Sequence, residues 1–326
     1  ESAAWTVPGN GVDAHVLAVL KQKKIQPAAP CSDAVFIRRV HLDVIGTLPE
    51  PPDVKAFLAD TSPAKRARAI DRLLAREEFA DYWALKWCDL LRVKAEFPIN
   101  LWPNAVQAYH RWIRDAVKTN RPYDQFARDL LTSSGSNFRV PPVNFYRAVQ
   151  GREPAALAEA VGLTLMGVRF QNWPQDRRDG MAALFSRVAF KPTDEWKEEI
   201  VLCDPAPTDP LKAVFPDGTA VIVKPGDDPR NVFADWLITG ENPWFSRNIA
   251  NRVWTWLLGR GIIHEPDDIR PDNLPVNPEL LAYLQKELVE AKYDLKHLFR
   301  IVLNSRTYQQ SPIARGPTAT AEAIFA

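Results

Sequence analysis

The stretch Asn242–Asn277, NPWFSRNIANRVWTWLLGRGIIHEPDDIRPDNLPVN, joins a strongly periodic helix to a long charged loop. Asn242 is a capping residue and Pro243 suits a first helical position. Phe245, Ile249, Val253, Trp256 and Leu257 then recur at helical spacing until Gly259 supplies a stop. Trp244 and Trp254 fall on the other side, so the predicted helix is buried nearly all round. Its polar stripe, Asn248, Asn251, Arg252 and Thr255, is narrow, and polar groups in such a place need partners. From Arg260 to Val276 there is neither helical nor alternating period. Three prolines stand there among Arg260, His264, Glu265, Asp267, Asp268, Arg270 and Asp272. Loops of this length are uncommon in compact domains unless they serve a function or move.

Helical periods dominate on both sides of this stretch. Gly11–Lys24 carries Val12, Val16, Val19 and Leu20 on one face, and Asp33–Gly46 carries Phe36, Ile37, Val40 and Val44, with Arg38, Arg39, His41 and Asp43 on the others. Gly46 closes the second, and Pro49, Pro51 and Pro52 follow as breakers. Ser62 and Pro63 open a helix that pairs with Glu77–Lys94. Trp102–Lys118, Pro122–Leu131, Pro154–Gly167 and Asp176–Val188 continue the pattern, with Gly135–Asn144 as a loop. At Lys191 the texture changes: Glu198–Cys203 and Thr219–Val223 are rich in Ile and Val around an Asp217-Gly218 turn, which predicts short strands. Helices resume at Asp228–Ile238, at Asn277 and at Asp294; the tail after Gln310 has little core-forming pattern and is expected to stop at Ala326 inside another helix. The expected class is mainly α and multi-helical, with a small β excursion between two helical parts.

Composition narrows the function. In 326 residues, 46% hydrophobic with eleven tryptophans, a substantial core is affordable, and a net charge of +1 provides no field to draw in nucleic acid. The apolar runs are too short for a membrane span. A chain opening at Glu1 is expected to be a processed or excised piece. Cys31, Cys88 and Cys203 are widely spaced and odd in number, which fits buried thiols and not a disulfide framework or a Cys-x-x-Cys site.

Two groups of motifs carry a resemblance. Near the N-terminus stand Phe36-Ile-Arg-Arg39 with Leu42-Asp43, Gly46 and Pro49, then Ile70-Asp-Arg-Leu-Leu74, and Tyr82-Trp83 with Trp87-Cys-Asp-Leu-Leu-Arg92. Towards the C-terminus stand Asn242-Pro-Trp-Phe245, Asn251-Arg-Val-Trp254, Gly259-Arg-Gly261, Asp267-Asp268, Asn277-Pro-Glu-Leu-Leu281, Asp294-Leu-Lys-His-Leu298 and Asn304-Ser-Arg-Thr-Tyr308. Over nearly its whole length the chain resembles the paired planctomycete cytochrome-associated domains of unknown function, the PSCyt and PSD types. The resemblance implies a PSCyt-like domain over 1–190, a β-containing connector over 191–227 and a PSD-like domain over 228–326, the last expected to be incomplete. It also implies an extracytoplasmic location, in the periplasm or at the cell surface. Many members carry Cys-x-x-Cys-His after the Gly-Val-Arg matched here by Gly167-Val-Arg169, and that element attaches a c-type haem. This chain continues Phe170-Gln-Asn-Trp-Pro174, so covalent haem attachment there is excluded, and no cofactor is expected.

The candidate site lies in the charged loop. Glu265, Asp267 and Asp268 offer paired carboxylates for acid and base work. The competing and favoured reading makes a structural polar cluster of Asn251, Arg252, Arg260, Asp267, Asp268 and Arg270, in which carboxylates cap helices or pair with arginines. Asp267, Asp268, Asp272 and Asn273 lack the order of an EF-hand, and the five histidines have no zinc spacing, so no metal is expected. The function expected is an extracytoplasmic interaction or scaffold module, with partners among envelope proteins or the rest of a longer polypeptide. The alternative is a hydrolase, on polysaccharide, using Asp267 and Asp268 assisted by Arg252 and His264. Electron transfer survives only where a further domain or a partner carries haem.

Overall fold

The computed structural model describes residues 5–96 and 101–311, so the helix expected beyond Gln310 lies outside the described residues. The class is mainly α: 54% of the described residues are helical and 7% are strand. In chain order the helices are α1 (Gly11–Lys23), α2 (Asp33–Ile45), α3 (Pro51–Ala59), α4 (Lys65–Ala75), α5 (Glu77–Leu90), α6 (Pro103–Lys118), α7 (Tyr123–Thr132), α8 (Asn144–Arg147), α9 (Pro154–Val161), α10 (Gln175–Ala183), α11 (Pro229–Leu237), α12 (Phe245–Leu258), α13 (Pro278–Glu290) and α14 (Leu295–Leu303). The strands are β1 (Gly135–Ser136), β2 (Val188–Pro192), β3 (Glu199–Cys203), β4 (Leu211–Val214) and β5 (Ala220–Val223).

The chain forms two compact units, neither of which is a single stretch. One comprises Glu1–Trp83, Ser246–Pro266 and Arg270–Ala326; the other comprises Ala84–Phe245 and Asp267–Ile269. The boundaries fall inside α5 and at the start of α12.

In the first unit, local signals set the helix ends. Ser32 Oγ accepts the Val35 N–H, Asn277 Oδ1 that of Leu280 and Asp294 Oδ1 that of His297, while Gly46, at φ 71°, closes α2. Two boundaries differ from expectation. Pro51 and Pro52 start α3, because proline in a first turn has no hydrogen bond to lose, and α4 begins at Lys65, two residues past Pro63. Helix α2 packs on α3 and α4, α1 on α13, and α14 on α4 and α13. An aromatic cluster fills the centre: Trp83 meets Phe299 edge-on at 4.6 Å and Trp256 at 5.3 Å, and its indole N–H reaches the Val44 carbonyl at 2.9 Å.

Two polar ties close this unit across the length of the chain. Asp13, fully buried on α1, accepts from the backbone N–H groups of Gly9, Arg306 and Thr307 and from the Thr307 hydroxyl, all within 2.8 to 2.9 Å. Arg39 donates to the carbonyls of Tyr308 and Gln310, and the Tyr308 hydroxyl donates to Asp43 at 2.7 Å. Asn304-Ser-Arg-Thr-Tyr308 thus fastens the last helix to the first two.

The second unit has its own buried cation. Arg230, 1% exposed, makes paired bonds to Asp228 and donates to the Ser133 carbonyl and Ser134 Oγ. Strands form two small sheets: β1, β3 and β2 in antiparallel order, and a β4–β5 hairpin turning at Gly218, whose φ is 97°. Two expectations change here. Val188 begins β2 and does not end a helix, since α10 stops at Ala183, and the Gly135–Asn144 loop contributes β1, which pairs Gly135 with Val201. The apolar helix expected to run to Gly167 loosens after Val161 into a π turn over Gly162–Met166 that ends with Gly167 at φ 66°. Phe170, just after Gly167-Val-Arg169, is buried in a 3-10 turn, pressed so closely on Gly162 that no β-carbon fits there.

Candidate functional site

Asn242 caps the central helix from a step further back than expected: its Oδ1 accepts the N–H of Trp244 at 3.0 Å and of Phe245 at 3.2 Å, so α12 starts at Phe245. Farther along, Asn251 is fully buried and clamps the loop backbone. Its Nδ2 donates to the Ile263 carbonyl at 3.1 Å and its Oδ1 accepts the Ile263 N–H at 2.9 Å, the two-point pattern of a neighbouring strand. Gly261 makes that approach feasible, since a β-carbon there would strike the Ile263 carbonyl oxygen. Ile262 and Ile263 are buried, the Val276 N–H reaches the Ile262 carbonyl at 2.8 Å, and Asn273 Nδ2 holds the His264 carbonyl at 2.8 Å.

The charged side chains of the loop behave differently. His264 and Glu265 project into solvent with 3.6 Å between them, and Arg270 meets Asp272 at 3.3 Å, also exposed. Glu265 sits at φ 60°, which costs a non-glycine residue about 1 kcal/mol or more. Asp267 and Asp268 are half-buried in the short segment that belongs to the second unit, where the Ile269 N–H bonds the Gly167 carbonyl at 2.8 Å. Arg252 is buried on α12, and the Nε of Arg260 is buried without a hydrogen-bond partner. Asn251 and the backbone of Ile263 are therefore brought together inside the first unit, whereas His264, Glu265 and Arg270 turn outward.

Three cavities lie elsewhere. One of about 250 Å³ involves Val168, Arg169 and Phe170, one of about 610 Å³ lies between α5 and α6, and one of about 560 Å³ lies among α2, α3 and α4. The second contains Cys88, whose thiol burial pushes up to about 12, a value that keeps it protonated and unreactive at neutral pH. The third has His41 among its lining residues. Sequence reading placed His41 on the outer faces of its helix, and the only signal for its burial was its position one turn after Ile37. Among the described residues no cluster of three or more His, Cys, Asp or Glu side chains is arranged to hold a metal ion, and no helix is long and apolar enough to cross a membrane.

Comparison with protein families gives two matches in succession. Residues 11–185 match PSCyt2, a protein of unknown function (DUF1549), and residues 229–323 match PSD1, a protein of unknown function (DUF1553). No curated protein and no solved structure matches the chain.

Proposed function

Since this chain belongs to the PSCyt2 family and continues into a PSD1 domain, we propose that it is an extracytoplasmic interaction module that presents the 260–276 loop to a protein partner or to further parts of a longer polypeptide. The observation that carries this reading is the clamp of Asn251 on Ile263. It holds the loop backbone by buried hydrogen bonds and leaves His264, Glu265, Arg270 and Asp272 in solvent. A loop ordered in this way loses little conformational entropy when a partner engages it, so its charges serve recognition efficiently. The hydrolase alternative draws no support from these outward charges, because acid and base catalysis needs carboxyls converging on a space from which water is partly excluded.

The test is photo-crosslinking in the native host. A crosslinking residue at Glu265 or Asp272 is expected to give one discrete protein adduct that a probe at the exposed Lys55 does not give, and Arg270→Glu should abolish it. Absence of an adduct at both loop positions overturns the reading. The location is tested separately: in spheroplasts the protein should be digested by added protease without lysis, and protection until lysis would count against an extracytoplasmic site.

A further inference from the structure

The cavity among α2, α3 and α4 has an unusual lining. His41 is 5% exposed, and its Nδ1 lies 2.9 Å from the Ile37 carbonyl, which assigns the proton to that nitrogen and leaves Nε2 as an acceptor. No hydrogen bond of Nε2 is present among the described residues, and His41 is one of the residues that line the cavity. Arg72 lies in the last turn of α4, and Arg76 is the residue that follows the helix. Arg76 is bound through Nε and one Nη to Glu78, while Arg72 makes no hydrogen bond or ion pair among the described residues. Asp53 on α3 is likewise without one, and Asp60 is taken up by Arg68 and the Ser62 N–H. Ile37, Phe57 and Leu73 supply buried apolar wall.

An exposed cation and an exposed anion, neither ion-paired among the described residues, and a buried histidine thus border a space of about 560 Å³ with mixed polar and apolar walls, within the usual size of a small-molecule site. Both charges act on His41, yet they do not pair with each other. A ligand carrying only an anion would meet the field of Asp53, and one carrying only a cation would meet Arg72 and Arg76. From this complementarity we infer that the α2–α3–α4 cleft binds a small zwitterion with an apolar body, of the free amino acid or dipeptide class: its carboxylate on Arg72 and the remaining face of Arg76, its ammonium shared between Asp53 and His41 Nε2, its side chain against Phe57 and Leu73. The inference is independent of the loop reading, because none of these residues lies in the 260–276 loop.

The probes are L-leucine and leucyl-leucine, with N-acetyl-leucine and leucine amide each lacking one charge. Binding is read by the ring-nitrogen NMR signals of the histidines, with a His41→Gln variant assigning the His41 resonance. A saturable shift of Nε2 is expected with at least one of the two zwitterions, with affinity falling roughly tenfold or more for both neutralised analogues and in Arg72→Gln and Asp53→Asn. Both substitutions are at exposed positions, and circular dichroism checks that the variants remain folded. No shift with either zwitterion up to about 10 mM, the weak end of specific recognition, overturns the inference. Equal affinity for N-acetyl-leucine overturns it also, since the ammonium would then play no part.

Discussion

Asp13 and His41 make an instructive pair. Each is a polar side chain on an otherwise apolar face of an early helix in the same compact unit, and each is almost wholly withdrawn from water. Asp13 has four donors on its two oxygens, which is enough to offset its desolvation, and nothing remains for a ligand to satisfy. His41 satisfies one nitrogen on its own helix, and its side chain is among those that line a cavity. Burial alone therefore does not mark a functional residue. Asp13 is architecture, whereas His41 retains hydrogen-bonding capacity that the proposed zwitterion would use.

The largest effect should come from removing the saturated group. Asp13→Ala leaves the Thr307 N–H and hydroxyl buried with no acceptor and frees the N–H groups of Gly9 and Arg306 as well. At about 1 to 3 kcal/mol for each orphaned buried group, unfolding stability should fall by roughly 3 kcal/mol or more in urea titration. Asp13→Asn should retain part of this. A loss below about 1 kcal/mol for the alanine variant would erase the distinction from His41, because the tie would then be dispensable.

Next comes Asn251, the other saturated group. Asn251→Ala deprives both the N–H and the carbonyl of Ile263 of their partners in a buried place, so a loss of about 2 to 3 kcal/mol is expected. The accompanying signature is local: amide exchange should accelerate at Ile262, Ile263 and Val276 more than in α13. Uniform acceleration through the whole unit would show that the clamp is no separate element.

How much of this was legible in the sequence depends on how far the physical cause lies from its residue. Helix class and many ends were legible because caps and apolar periods act within one turn, as at Asn277, Asp294, Gly46 and Gly259. Helix α3 was not, since Pro51-Pro52 signals both a stop and a start, and only tertiary context selects between them. Strand β1 was not legible because its pairing of Gly135 with Val201 is non-local and a two-residue strand has no period of its own, and β2 and β4 were not legible either. Two partners of Asp13, Arg306 and Thr307, stand 293 and 294 residues away in sequence, beyond any spacing rule. At the loop, a polar residue on a buried helical face announces that it needs a partner. Nothing in the periodicity says that for Asn251 the partner is backbone, or that Ala56 and Phe57, on an unforeseen helix, help to wall a cavity around His41.

A smaller effect is expected from pH at His41. Burial lowers its pKa from the ordinary value of 6.5, opposed by the Ile37 carbonyl and reinforced by Arg76 and Arg72, with Asp53 pulling the other way. The unfolded chain then takes up this proton before the folded one does. Stability contributed by the neutral ring is fully present above pH 6.5 and is lost as pH falls through the depressed folded value. The melting temperature should decline from pH 6.5 downward, before the carboxylates titrate, and His41→Gln should flatten that slope. A slope unchanged in the variant would mean that His41 titrates as an exposed ring does, and the contrast with Asp13 would lose its physical basis.

The smallest effect belongs to the charges outside the clamp. Arg270 and Asp272 form a solvent-exposed pair with Nη1 to Oδ2 at 3.3 Å and with 41% and 74% of the side chains accessible. At such exposure the Coulombic gain is screened by water and salt and is offset by the entropy of holding two side chains in one geometry. Asp272→Ala should therefore change stability by about 0 to 1 kcal/mol, and raising the salt concentration should leave even that difference smaller. The same substitution should weaken the crosslinked adduct formed from Glu265, because the carboxylate that contributes nothing to folding remains available to a partner. A destabilisation comparable to that of Asn251→Ala would place Asp272 among the anchors of the loop. It would also remove the separation between a backbone held from within and charges directed outward, on which the interaction reading depends.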